Sequence, residues 1–232
     1  MSEPLAGDPL TASLEEQVAR MRGEGAPEAP AALFDLVREE LCGFTVIRPR
    51  DWEELRHEYG SVGMAAPYWA TAWPSGLSLA DALRGRSLGA RRVLELGCGL
   101  GVPSLAAAAA GGRVLATDGS ADAVAFAAHN LALNELEGEV AVADWREPGA
   151  LLEGGPWDLV LAADVLYLRH NVEALLRALP DLLAPGHGEA IVADPQRAGG
   201  RDFVASAKRI FRLETRRDTE RPSVDVHTLR VR

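Results

Sequence analysis

The 232 residues suffice for one medium-sized domain, or one domain with a short appendage, and a chain of this length buries enough surface to need no disulfide or metal staple. A 47% apolar and 25% charged composition is that of a globular protein, and a net charge of −10 argues against a surface built for nucleic acid or anionic lipid. The two cysteines, Cys42 and Cys98, stand in no metal-ligand spacing. No apolar run approaches the roughly 20 residues needed to cross a bilayer, and residues 1–8 carry no signal pattern. The expectation is a reduced, cytoplasmic protein without zinc or other metal, nucleic acid or membrane partner. Its one lysine, Lys208, reads with the alanine richness as codon bias.

In chain order, Leu10–Met21 has helical spacing, with Thr11 or Ser13 as its cap, and the GEGAPEAP run of Gly23–Pro30 breaks it. Ala31–Leu41 resumes a helical pattern, Gly43–Ile47 reads as a short strand, and Asp51–Tyr59 as a helix. Residues 1–64 form a small helical N-terminal extension, partly flexible, and residues 65–232 the main domain. After the aromatic segment Pro67–Gly76, a helix covers Leu77–Leu83. Arg92–Leu96 is a buried strand running into the loop Gly97-Cys98-Gly99-Leu100-Gly101, and Pro103 starts the helix that follows.

Strands at Arg113–Thr117, Glu139–Ala143, Trp157–Ala163 and Ala190–Ala193 then alternate with helices capped by Ser120, striped by Val172–Leu183, and running Phe203–Phe211. Two alternating runs, Leu213–Thr219 and Val224–Val231, close the chain as an antiparallel hairpin. The pattern predicts an α/β fold, a Rossmann-like doubly wound sheet.

Ligands in such sheets bind beyond the carboxyl ends of the strands. Those positions hold Glu95 with the glycine loop, Asp118, Asp144-Trp145, Ala163-Asp164 and Asp194, a set too acidic for gripping phosphates. Val102 stands where the dinucleotide fingerprint requires Gly or Ala, which speaks against a nicotinamide-dependent oxidoreductase. Glu95 would repel a pyrophosphate but attract an ammonium. Asp118 is placed for both ribose hydroxyls, Asp144 for an adenine amino group, and Trp145 to cover the ring or donate its amide. A cofactor with an amino-acid end, an adenosine end and no phosphate fits, and S-adenosyl-L-methionine is that molecule. The plain alternative is that each acid only caps the helix after it. Cys98 reads as a small side chain filling a tight turn, Trp69 as a core aromatic.

These residues resemble a known family. Glu95–Gly101 (ELGCGLG) is similar to motif I of the class I, seven-stranded methyltransferases, and Asp118 to their second-strand acid. Asp164-Val165-Leu166-Tyr167 resembles the D-x-x-Y motif of the protein-lysine methyltransferase branch, and Pro67–Ala70 with Trp73-Pro74 the segment before its core. Within that branch the likeness is to the electron-transfer-flavoprotein β-subunit lysine methyltransferases and bacterial nicotinamide N-methyltransferase-like proteins. It covers Pro67 to Arg197.

The resemblance implies a seven-stranded sheet. It implies that Trp73, Gly97, Gly99, Asp118, Trp145 and Ala163 contact the cofactor, and that Asp164 and Tyr167 orient the acceptor amine; Glu95, Asp144 and the rest of the glycine loop, Cys98 and Gly101, complete the expected cofactor-binding set. Asp194-Pro195-Gln196-Arg197 departs from that branch's D-P-G-R. Arg197 is read as either a guide for an acidic substrate or a surface charge. The expected activity is N-methylation, of lysine in a protein partner or of a small amine or pyridine nitrogen. An oxidoreductase and an idle binding module remain as alternatives.

Overall fold

The computed structural model describes the backbone of Glu3–Pro4 and of residues 9–232, with side chains from residue 12 onward. Seven strands form one sheet: β4 (Arg92–Leu96), β5 (Arg113–Asp118), β6 (Glu139–Val142), β7 (Leu159–Ala163), β8 (Glu189–Asp194), β9 (Phe211–Arg217) and β10 (Asp225–Val231), in the order β6-β5-β4-β7-β8-β10-β9. β10 runs antiparallel to both of its neighbours and the rest of the sheet is parallel. The closing hairpin is therefore not simply appended: its second strand inserts next to β8, leaving β9 at the edge. Chain order reverses between β4 and β7, so the loops after these two strands diverge and open a crevice.

Apolar layers cover both faces. Helices α3 (Pro74–Leu83), α4 (Val102–Ala109) and α5 (Ala121–Leu133) pack over Val93, Leu159 and Leu161. On the opposite face α6 (Gly149–Glu153), α7 (Arg169–Leu182) and α8 (Ala198–Ala207) pack over Leu94, Leu96, Val160 and Val192. Successive residues of a strand serve opposite layers, so a strand covered on both faces reads as a continuous apolar run.

The N-terminal region differs from expectation in kind. Helix α1 (Pro9–Arg22) begins early enough that the expected caps Thr11 and Ser13 fall inside it, while α2 (Trp52–Ser61) is capped by Asp51. Between them, Ala31–Leu41 is not helical. After one short 3-10 turn, β2 (Leu36–Leu41) pairs antiparallel with β3 (Phe44–Pro49), and Glu3–Pro4 (β1) pairs with β2. The turn is the two-residue Cys42-Gly43, both at positive φ (53° and 86°), the geometry that matches strand twist in tight hairpins. The helical spacing of Leu33, Leu36, Val37 and Leu41 was outweighed by this turn and by cross-strand pairing.

The edge of β3 is closed by two asparagines of α5. Asn130 Oδ1 accepts from Ile47 N–H (2.8 Å), and its Nδ2 donates to the Ile47 carbonyl (3.2 Å) and the Leu100 carbonyl (3.0 Å). Asn134 repeats the exchange with Thr45. Side-chain amides thus complete the strand's pairing and stitch the hairpin to the main sheet's helical layer. No helix among the described residues is long and apolar enough to cross a membrane.

Candidate active site

A cavity of about 1070 Å³ opens along the carboxyl ends of β4, β5, β6 and β7. Its wall contains Trp73, Glu95, Gly97, Cys98, Gly99, Asp118, Asp144, Trp145, Ala163, Asp164 and Tyr167, so the expected residues converge on one space. Gly101 is the exception. It stands at φ 80° off the wall, and a Cβ there would lie 3.1 Å from that of Ala127, so its role is the close approach of α4 to α5. Asp194 also lies off the wall. It is buried, accepts the Arg197 backbone N–H (2.9 Å), and burial raises its pKa to about 6.

The half of the cavity at β4 and β5 is built on two acids with no cationic partner. Glu95 is 1% exposed, and its carboxyl accepts a short hydrogen bond from the Ser104 hydroxyl of α4. Burial pushes its pKa up to about 8, opposed by the Ser104 hydrogen bond and reinforced by the charge of Asp118. Asp118 joins two loops: Oδ2 accepts from Gly99 N–H (3.0 Å) and Oδ1 from Ser120 N–H (2.9 Å). Burial raises its pKa as well, against those backbone donors. Gly97 and Gly99 adopt positive φ, and a Cβ on Gly99 would stand 3.2 Å from the Trp69 carbonyl, so glycine lets the aromatic segment close on this loop. Cys98 is buried between the two acids, and burial first, then their charge, drives its thiol pKa well up. The thiol stays neutral and is no nucleophile.

The half at β7 is built differently. Asp164 has φ 57° and forms an ion pair with Arg197 (2.8 Å) from the loop after β8. Tyr167 stands half exposed at the mouth, its ring 6.3 Å from that of Tyr68, rather than packed on α7. Tyr68 stacks in turn on Trp52 at 6.0 Å. Asn171 anchors the turn below by donating to the Val165 carbonyl (3.0 Å). Arg197 thus serves as the counter-ion of Asp164, a role the sequence did not specify.

Toward β6, Asp144 is engaged by a neighbouring side chain. Its carboxylate holds the Arg146 guanidinium (2.5 Å) and backbone N–H, and that partner depresses its pKa. Trp145 is buried in the layer under α6 and α7, with a face on the cavity. Trp69 packs 5.0 Å from Phe126, as a core aromatic, yet its indole N–H is buried without an acceptor. Trp73 caps α3 and donates to the Tyr68 carbonyl (2.6 Å).

The wall also includes three residues for which spacing offered no signal: Arg22 and Tyr59 from the N-terminal region, and Asp122 in the first turn of α5. Arg22 donates to both Asp122 oxygens (2.6 and 2.7 Å), and the Tyr59 hydroxyl makes a short hydrogen bond to the same carboxylate. Burial beside Asp122 pushes the Tyr59 phenol far above its ordinary pKa.

Comparison with known proteins agrees with this geometry. The chain is 33% identical over 176 residues to the electron transfer flavoprotein beta subunit lysine methyltransferase of Danio rerio, covering 74% of this chain and 61% of that one. It is 32% identical over 187 residues to EEF1A lysine methyltransferase 3 of Mus musculus, covering 77% and 78%. The match therefore spans only about three fifths of the flavoprotein-directed relative. Among solved structures, the T. thermophilus 16S rRNA N2 G1207 methyltransferase, in complex with AdoMet and guanosine, superimposes with a TM-score of 0.61 at 18% identity. It covers 89% of this chain and 53% of that one, a likeness of fold. A lysine methyltransferase family model matches residues 53–209, more than half of the sequence, and the chain belongs to that family.

Proposed function

We propose that the protein transfers a methyl group from S-adenosylmethionine to a lysine side chain of a protein partner. The observation that carries this reading is the division of the cavity. One half holds a buried and a half-buried acid with no cation beside them among the described residues, and the other holds an acid that already binds a cationic side chain. Glu95 suits an ammonium and Asp118 a pair of hydroxyls. Among the described residues, the arginines of the wall, Arg22, Arg146 and Arg197, are each paired with an aspartate rather than left for a phosphate. The unpartnered indole N–H of Trp69 leaves a donor for an incoming polar atom. The residues present therefore fit an adenosine-bearing, phosphate-free cofactor.

When bound, that cofactor supplies an electrophilic methyl group on a sulfonium sulfur. The chain's own residues then have three tasks. Glu95 and Asp118 fix the two ends of the ligand. Asp164 takes the acceptor's N–H groups as it now takes the guanidinium of Arg197, and Tyr167 closes the mouth beside it. The acceptor amine must be neutral when it attacks, and its displaced proton leaves through the exposed mouth between Tyr68 and Tyr167. Catalysis of this kind rests on proximity and orientation rather than on a strong base.

Two free cysteines, one buried and one half-buried, support a reducing, cytoplasmic setting. The family name and the relatives' names support lysine of a protein as the acceptor. The test is transfer of labelled methyl from S-adenosylmethionine into a cell lysate separated into protein and small-molecule fractions. A labelled protein band in which mass spectrometry finds methyl-lysine is expected. Label confined to small molecules overturns the protein acceptor and leaves an amine methyltransferase.

A further inference from the structure

Arg22 lies outside the span matched by the family model, in a region that the sequence reads as an appendage. The structure gives it a different standing. It is the last residue of α1, yet its side chain is only 7% exposed and that of Asp122 only 2%. The guanidinium holds both oxygens of Asp122, and its remaining nitrogen donates to the Pro27 carbonyl (3.0 Å). Tyr59 of α2 binds the same carboxylate, so one aspartate gathers three segments. Arg22, Ala26, Pro27 and Tyr59 all form cavity wall, facing the stretch from Asp118 to Asp122.

A buried ion pair adds little to stability when compared with apolar packing, because desolvation cancels most of its attraction. What such a pair supplies is position. Asp122 is four residues from Asp118, in the first turn of α5, directly after the loop that leads out of β5, so holding its carboxylate fixes the helix start and the loop that carries Asp118.

We propose that Arg22 is a positioning residue of the cofactor half of the site. Through Asp122 it sets the Asp118 loop, and through Pro27 it brings the Ala26–Pro27 segment across as the outer wall of the adenosine end. The inference rests on the reading that this half takes S-adenosylmethionine, and the region before residue 53 is then part of the active site.

The experiment compares wild type, Arg22→Ala and Arg22→Lys in calorimetric binding of S-adenosylhomocysteine and in methyl-transfer kinetics. The expected result for Arg22→Ala is a Kd and a cofactor KM raised about tenfold, with kcat lowered by less, and Arg22→Lys recovering most of the loss. A merely structural role would lower the active fraction, and so kcat, while leaving KM and Kd unmoved, and that result overturns the proposal. If Arg22→Ala does not fold, hydrogen exchange of wild type decides. Amides 22–26 gain protection on adding S-adenosylhomocysteine if the segment is the wall, and unchanged exchange overturns it. Absence of any binding by wild type overturns the cofactor reading itself, and this inference with it.

Discussion

The two halves of the cavity present the same kind of group, a carboxylate at a strand end, in opposite states. At β4 and β5, Glu95 is buried and Asp118 half-buried, held by a hydroxyl and by backbone amides, and neither has a cation beside it among the described residues. At β7, Asp164 is already neutralised by an arginine whose side chain is 43% exposed. The first pair is held in place, with burial raising the pKa of both and that of Glu95 to about 8, and a ligand must supply the missing cation. The second is occupied by a half-exposed partner that an incoming amine must displace. A site that binds one ligand firmly and exchanges another against a competing cation is what methyl transfer between a small cofactor and a protein side chain requires.

The comparison is broken most sharply at Asp164. Asp164→Asn keeps shape and removes the charge, and kcat/KM for the acceptor is expected to fall about 100-fold or more while cofactor affinity holds, as measured by steady-state kinetics beside calorimetry. Asp118→Ala should act in the other half. Loss of charged hydrogen bonds worth about 2–3 kcal/mol raises the Kd for S-adenosylhomocysteine roughly 30–150-fold, provided that the melting temperature shows the loop still folded.

The state of Glu95 sharpens the contrast through pH. Its carboxyl titrates at about 8 in the free protein, so below that pH it carries a proton that a cationic ligand must expel. Binding is therefore expected to release protons and to strengthen as pH rises from about 6 to about 7.5, by up to roughly tenfold per unit. Calorimetry in buffers of different ionisation enthalpy measures the release, and Glu95→Gln should abolish it. Arg197→Ala gives the smallest effect. Freeing Asp164 from a half-exposed ion pair should lower the acceptor KM by less than about fivefold. A rise instead would mean that Arg197 holds substrate rather than competing with it.

How much of this was legible beforehand follows the same division. Each strand of the parallel sheet announced itself as an apolar run, and the acids after those strands lined up because strand ends in this fold converge whatever the intervening sequence. That rule brings Glu95, Asp118 and Asp164 onto one cavity wall. Residues whose role depends on contacts between distant segments left no local trace. Arg22 and Asp122 are one hundred positions apart, and nothing in either neighbourhood signals the other. The pairing of Asp144 with Arg146, two residues on, was not anticipated either. Ala31–Leu41 was misread because apolar spacing was weighed above the Cys42-Gly43 turn. Gly199 and Gly200 passed unnoticed, yet a Cβ on either would stand 2.1 Å from the Leu166 carbonyl or the Asp194 carboxylate, so only glycine lets α8 start so close to these loops.

The most direct test of the division of labour is S-adenosylhomocysteine binding by wild type, Asp118→Ala and Asp164→Ala under one set of conditions, with methyl transfer measured on the same preparations. The account predicts that wild type binds and transfers, that Asp118→Ala loses most of its affinity, and that Asp164→Ala binds like wild type without transferring. Equal loss of binding in both variants, or transfer undiminished in Asp164→Ala, would contradict it.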